Sequence, residues 1–163
     1  MNYDNSRVRR QNRLLPETEA LHLLATGEYG VLSLVTPENE GYGIPLNYVW
    51  DGKDTVYFHC ATEGKKIDIL QKNPNVSFCI VGGTEVISNK FTTNYQSIIL
   101  FGTISFPINP EEKMQALELI LKKYALPHLE AGKQYTKNAL NNTQVLKMSI
   151  TEFSGKCNDK KQG

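Results

Sequence analysis

The stretch Phe58-His59-Cys60-Ala61-Thr62-Glu63-Gly64-Lys65-Lys66-Ile67 puts an imidazole, a glycine and two adjacent ammonium groups within eight residues. It reads as the end of a strand, a short turn at Gly64 and the start of a helix. That helix has Ile67, Ile69 and Leu70 on its apolar side and Pro74 beyond its end. Lysines in the first turn of a helix are electrostatically misplaced, because the unpaired N–H groups there already carry about half a positive charge. Lys65 and Lys66 suit that position if an anion, typically a phosphate, fills it. The competing reading is two solvated lysines whose mismatch costs only about a few tenths of a kcal/mol. His59 shares a strand face with Tyr57 and Ala61, opposite Val56, Phe58 and Cys60. Taken alone it reads first as a hydrogen-bonded structural histidine; beside an anion site it could also donate a proton or orient an acceptor.

Three further stretches carry polar groups suited to a flat ligand. In Tyr42-Gly43-Ile44-Pro45-Leu46-Asn47-Tyr48, proline inside a strand removes a ladder donor and signals an edge or a bulge. Such a strand leaves backbone amides and carbonyls free. Asn94-Tyr95-Gln96-Ser97 offers amide and hydroxyl groups at the start of a long strand, and Ser154-Gly155-Lys156 supplies a turn and a cation after the last one. Each is weak by itself.

These groups must be held by a sheet. A short amphipathic helix is expected over Glu17 to about Thr26, followed by strands over Tyr29–Thr36, Tyr42–Trp50 and Asp54–Ala61. Asp51-Gly52 favours a type I′ hairpin, and the three strands are expected as an antiparallel meander. Strands over Asn75–Gly82 and Tyr95–Ile108 follow, with a bend or bulge at Gly102. Asn109-Pro110-Glu111-Glu112 opens a helix bearing Met114, Leu117, Ile120, Leu121 and Tyr124 on one face, and Gln144–Phe153 forms the last strand. Six strands with few helices point to a small antiparallel barrel. Tyr57 and Val81 point opposite to Phe58 and Ile80, so both strand surfaces need cover. One is the barrel interior, and the other is assigned to a second copy of the chain, with cover by the two helices as the alternative.

Composition narrows the function. The 163 residues suit one domain and, at 40% apolar and 21% charged, are globular in balance. The net charge of +1 hides an asymmetry. Arg7, Arg9, Arg10 and Arg13 against Asp4 give the first thirteen residues +3, while Lys156, Lys160 and Lys161 against Asp159 give the last eight +2. The body from Leu14 to Gly155 therefore carries −4 and no arginine, a poor platform for nucleic acid. The basic ends are expected as solvated tails: residues 1–15 a basic N-terminal arm, 16–156 the domain, 157–163 a disordered polar tail. Cys60, Cys79 and Cys157 are odd in number and scattered, which argues for reduced thiols and a cytoplasmic location. His22, His59 and His128 have no metal-ligand spacing, so no metal is expected. No apolar run nears the roughly 20 residues that span a bilayer, and no apolar segment follows the basic start, so neither membrane span nor secretory signal is expected.

The order of the helix, YGVLS (Tyr29–Ser33), YGIPLNY (Tyr42–Tyr48), YFHCATEGKK (Tyr57–Lys66), NVSF (Asn75–Phe78), NYQSIILFG (Asn94–Gly102) and SGK (Ser154–Lys156) resembles the 5-nitroimidazole-resistance (Nim) proteins. These belong to the flavin-binding split barrels related to pyridoxamine 5′-phosphate oxidase. The resemblance covers nearly the whole chain, including the opening RVRRQNR, and rests on the order and spacing of the stretches. It implies a mainly β fold with peripheral helices: a homodimeric, six-stranded antiparallel split β-barrel with FMN in two interfacial sites. By that likeness Ile44, Pro45, Leu46 and Asn47 line the isoalloxazine through their backbone, and His59 and Ala61 sit beside the ring. Gly64, Lys65 and Lys66 grip the phosphate, while Tyr95, Gln96 and Ser97 complete the site from the same or the other subunit. It further implies a flavin-dependent oxidoreductase that reduces 5-nitroimidazoles or another small electron-poor acceptor, with His59 nearest the chemistry. Pyridoxamine phosphate oxidases hold phosphates with several arginines; this body has none, so that specific activity is not expected. Lysine lacks arginine's bidentate fork, which leaves room for FAD. The alternative function is a non-catalytic flavin-binding or redox-sensing module. A haem reading is disfavoured by the lack of a second histidine or a Cys-Pro near the site.

Overall fold

The computed structural model describes residues 1–106 and 108–158. The chain runs β1 (Asn2–Tyr3), α1 (Glu17–Thr26), β2 (Tyr29–Val35), β3 (Gly41–Asn47), β4 (Val49–Trp50) and β5 (Thr55–Ala61). It continues with α2 (Lys65–Lys72), β6 (Asn75–Ile87), β7 (Thr92–Ser105), α3 (Pro110–Tyr124), α4 (Leu129–Ala139) and β8 (Thr143–Cys157). One sheet takes the order β3-β2-β6-β7-β8-β5-β4, all antiparallel, with β1 added parallel to β8. The fold is mainly β with peripheral helices, of the split-barrel type. All six predicted strands are present; a break at Tyr48 divides one of them, and β1 adds another.

Alternation builds the core. In β2 the inward residues Gly30, Leu32 and Leu34 are buried and the outward ones are not. They meet Phe58, Phe78, Ile80, Ile98, Leu100, Leu146 and Met148 from the neighbouring strands. Phe78 lies edge-on to both Tyr48 and Phe58, at centroid distances of 5.1 and 4.9 Å, an arrangement that suits the ring quadrupoles. A second, smaller core lies outside the barrel, where Ala116, Leu117 and Ile120 of α3 cover Val49, Tyr57 and Val145. The start of α3 is set by Asn109, whose Oδ1 accepts from the Glu112 N–H at 2.8 Å, with Pro110 in the first turn.

The meander is corrected at one point. Gly41–Asn47 pairs with β2, and only Val49 and Trp50 pair with β5. Tyr48 causes the break: its ring is fully buried, and its N–H donates to the Tyr124 hydroxyl at 3.0 Å instead of to a strand. That hydroxyl lies 2.6 and 2.7 Å from the Glu28 and Tyr48 carbonyls, and its single hydrogen serves one at a time. The Asp51-Gly52 turn spans four residues: Asp51 Oδ1 accepts from the N–H groups of Lys53 and Thr55, so Asp51 acts through its side chain.

The ends also differ from expectation. The N-terminal arm is laid across β8: Asn2 and Tyr3 pair with Glu152 and Phe153, and the Tyr3 and Phe153 ring centroids are 4.7 Å apart. Ser154-Gly155-Lys156 lies inside β8, not after it. Cys157 pairs with Gln96, and Asn158 is buried, its side-chain amide donating to Thr92 Oγ1 and the Thr93 carbonyl. Cys157 is therefore strand and Asn158 is anchored against β7, neither being free tail; Pro107 and residues 159–163 lie outside the described residues. No helix of the described residues is long and apolar enough to cross a membrane.

Candidate functional site

The lysine turn forms as its sequence demands. Gly64 has φ +124°, a conformation closed to most side chains, and a Cβ there would meet nothing within 4 Å. The helix after it begins with Lys65 and has no side-chain cap. Its first-turn amides therefore lack the carboxylate or hydroxyl that usually satisfies them. The α2 N-terminus also lies beside β3: Lys65 Nζ stands 4.8 Å from the centre of the Tyr42 ring. The two most informative stretches of the sequence, separated by a hairpin, are thus neighbours in space.

Strand β3 ends the sheet path, so one of its edges carries no partner strand and Pro45 costs no ladder bond there. Tyr42, Ile44 and Leu46 pack toward the barrel, while Gly43, Pro45 and Asn47 face outward. The Asn47 side-chain amide donates to the Glu28 carbonyl at 2.9 Å, and its backbone pairs in register with Tyr29 of β2. On β5, Cys60 packs on the core and His59 and Ala61 face outward. His59 makes no hydrogen bond among the described residues, so the structural role it suggested by itself has no partner. Burial of its flank under the helices pushes its pKa below the ordinary imidazole value, which leaves it neutral at pH 7. Burial raises the Cys60 thiol, with Lys66 opposing weakly, so this thiol stays protonated.

The surroundings of the two lysines are unequal. Lys65 shares a hollow with Glu38, Asp68 and Lys72, and these carboxylates offset part of its charge. Glu38 is held below the ordinary carboxylate range first by its own backbone N–H and the Thr36 hydroxyl, with Lys72 and Lys65 contributing less. Lys66 is outside that hollow. The donor set at this turn, uncapped amides plus two ammonium groups, fits a phosphate-sized anion.

Tyr95, Gln96 and Ser97 are not part of this cluster. They lie on β7, where Ser97 pairs with Lys156 and the Lys156 ammonium stands 5.8 Å from the centre of the Tyr95 ring. His59 pairs with Val145, eleven positions away along β8, a contour of roughly 35 Å. Within one chain the predicted residues therefore form two groups on separate parts of the sheet. His22 and His128 are exposed; His22 lines a hollow that also includes Gln96 of the β7 group. Among the described residues no three His, Cys, Asp or Glu side chains converge as metal ligands.

The sequence reading expected an outer strand surface in need of cover, on Tyr57 and Val81; the structure places its open part over β2, β6 and β7. Pro45, Val31, Cys79, Ile99 and Ser154 form one row across five strands by register. Val31, Val81, Ile99 and Phe101 are 40, 54, 38 and 43% exposed, with Ser33, Ser77, Cys79 and Ser97 between them, and Ile99 and Phe101 line a hollow beside Asp4, Arg7 and Val8. Alternation did signal it, since Val31, Ile99 and Phe101 stand opposite core positions.

Comparison with known proteins agrees with this architecture. A family model described as pyridoxamine 5′-phosphate oxidase matches residues 16–157, and the chain belongs to that family. Among solved structures, a candidate 5-nitroimidazole antibiotic resistance protein from Bacteroides thetaiotaomicron is similar at TM-score 0.71 and 22% identity, over 88% of this chain and 86% of that one. A FAD- and haem-binding protein from Mycobacterium smegmatis gives 0.77 and 19%, over 90% and 74%. A FAD-binding protein from Mesorhizobium loti gives 0.64 and 20%, over 90% and 98%. At these identities the likeness shows the fold. No curated protein sequence resembles the chain closely enough to count as a match.

Proposed function

We propose that this protein is a flavin-dependent oxidoreductase, working as a homodimer, that reduces a small electron-poor acceptor of the 5-nitroimidazole kind. The observation that carries this reading is the uncapped α2 N-terminus with its two lysines lying beside β3, a strand with one free edge; His59 stands on β5 just ahead of that turn. In this reading the Gly64, Lys65 and Lys66 backbone amides and the lysine ammonium groups hold the flavin phosphate, FMN being our choice. The backbone of Ile44–Asn47 and the outward side chains of His59 and Ala61 border the ring. Bound flavin supplies the redox chemistry; the protein supplies orientation, a dry surround and charge. His59, neutral at pH 7, offers one N–H donor to an acceptor's oxygen and one free nitrogen.

A second copy serves two needs at once. The open face of β2, β6 and β7 exposes Val31, Val81, Ile99 and Phe101, side chains that gain by cover. The β7 group of Tyr95, Gln96 and Ser97, remote from His59 in its own chain, is available to complete the partner's site. Both support the homodimer.

The test begins with colour. Protein isolated without added cofactor should show a flavin spectrum, and heat should release FMN; release of FAD instead corrects the cofactor to that carried by the Mycobacterium and Mesorhizobium proteins. Reduced anaerobically, the protein should reoxidise on adding a 5-nitroimidazole, with turnover when a donor is supplied. Stoichiometric reduction without turnover returns it to a flavin-binding module, and a colourless protein that ignores added FMN and FAD overturns the proposal. Lys66→Ala should lower flavin retention more than Lys65→Ala, because Glu38 and Asp68 already offset Lys65. Equal retention in both variants and wild type removes the phosphate role from the pair.

A further inference from the structure

The helices α3 and α4 do not close fully onto the sheet. Between them and the outer face of β5 lies a pocket of about 130 Å³ whose walls include His59, Leu117, Ile120, Leu121, Thr136 and Ala139. Apart from the imidazole and a few hydroxyls the lining is apolar. An apolar cavity of about 150 Å³ holds one benzene ring. The space here therefore suits one five- or six-membered ring, and the second ring of a fused bicycle would be left in the open mouth. His59 is the one imidazole on its wall, makes no other hydrogen bond among the described residues, and is neutral at pH 7. Its N–H can thus be given to an oxygen on whatever enters.

We propose that this pocket binds one small aromatic or heteroaromatic ring carrying an oxygen acceptor. The ring lies against Leu117, Ile120 and Leu121, and the oxygen accepts from His59. Thr136 and Ala139, small side chains three residues apart on one face of α4, set the size limit. The pocket's role as the seat of the reducible acceptor rests on the oxidoreductase reading above; ring binding itself does not.

The full chain, labelled with ¹³C-histidine, is titrated with nitrobenzene, 1-nitronaphthalene and toluene while the His59 ring resonance is followed, assigned by its loss in His59→Gln. Nitrobenzene should shift it saturably and bind at least tenfold tighter than 1-nitronaphthalene, the bicycle, or toluene, which lacks the oxygens. Ala139→Leu, or Thr136→Ile if that variant fails to fold, should weaken nitrobenzene at least tenfold with flavin content and Tm unchanged. Leu121→Ala should admit 1-nitronaphthalene. Equal binding of all three compounds, or wild-type binding by the filled variants, overturns the proposal. Colourless protein that takes up neither FMN nor FAD yet shows the His59 shift overturns the oxidoreductase reading and keeps the pocket. Coloured, active protein without the shift does the reverse.

Discussion

The two outer faces of this sheet make an instructive pair. Over β4, β5 and β8 the outward residues Val49, Tyr57 and Val145 are buried beneath α3, which the chain itself supplies. Over β2, β6 and β7 the equivalent positions Val31, Val81, Ile99 and Phe101 stand open. Both faces follow the same alternating pattern and carry apolar residues, the open one with serines between them. Only the helical connection between β7 and β8 distinguishes them, because it passes over one face and not the other. An apolar strand face thus specifies that it will be covered, and the connectivity specifies by what.

The largest effect that would sharpen this contrast comes from charging the bare face. Val31→Asp or Ile99→Asp should convert a dimer into a folded monomer, read as a halved mass by light scattering, with flavin lost alongside. A wild-type monomer, or a dimer that survives the charge, breaks the comparison. On the covered face Leu117→Ala should leave the mass unchanged and cost stability instead, roughly 3 kcal/mol for a buried leucine. Thermal unfolding should then move down by about 9 °C at this chain length.

Cover by a helix also carries a cost, smaller than either effect. Lys123 of α3 holds its buried ammonium 3.7 Å above the centre of the Tyr48 ring, with no hydrogen-bond partner among the described residues. Burial lowers its pKa to about 8. The unfolded chain, titrating near 10.4, binds the extra proton between those values, so stability should rise with pH from about 8 to about 10.4. Lys123→Met should raise stability below pH 8 by about 1 kcal/mol, discounted for the stem's solvent exposure and the opposing cation–π attraction, and should flatten that alkaline rise. Denaturant titrations at pH 7 and pH 10 decide it.

The smallest effect is at the other end of α3. Lys147 at 2.6 Å and the Tyr57 hydroxyl at 2.8 Å hold the Glu112 carboxyl below the ordinary carboxylate range, the lysine first. That contribution is present above the unfolded value of about 4.3 and is lost as pH falls through the lower folded one. Glu112→Gln should remove it, by less than about 1 kcal/mol for a pair this near the surface, and the acid unfolding midpoint should then no longer report this group.

Much of the site was legible because its signals are local. Gly64 followed by two lysines and an apolar helix face requires only a turn and a helix start, and both formed where expected. Asn109-Pro110 is equally self-contained. The extension of β6 to Ile87 was hidden because Gly82-Gly83 reads as a stop, whereas a register shift between Gly82 and Glu85 carries the strand past it. Helix α4 was missed because only Thr136 in it is buried. It exists by leaning on α3, where a Cβ at Gly132 would sit 2.7 Å from Leu121 Cδ2, so a larger residue there would have to displace that side chain. The break at Tyr48 depends on a hydroxyl 76 residues away, which no local pattern encodes.

Alternation, turn chemistry and charge placement thus determined the strands, the lysine turn and the outward direction of His59 and Ala61, since each needs information from only a few neighbours. Tertiary structure alone decided that α2 abuts β3, that Tyr95–Ser97 stand apart from His59, and which face the helices cover. Those outcomes depend on packing between segments distant in the chain, where the favourable term is burial of matching surfaces, and burial has no periodicity from which to read a partner.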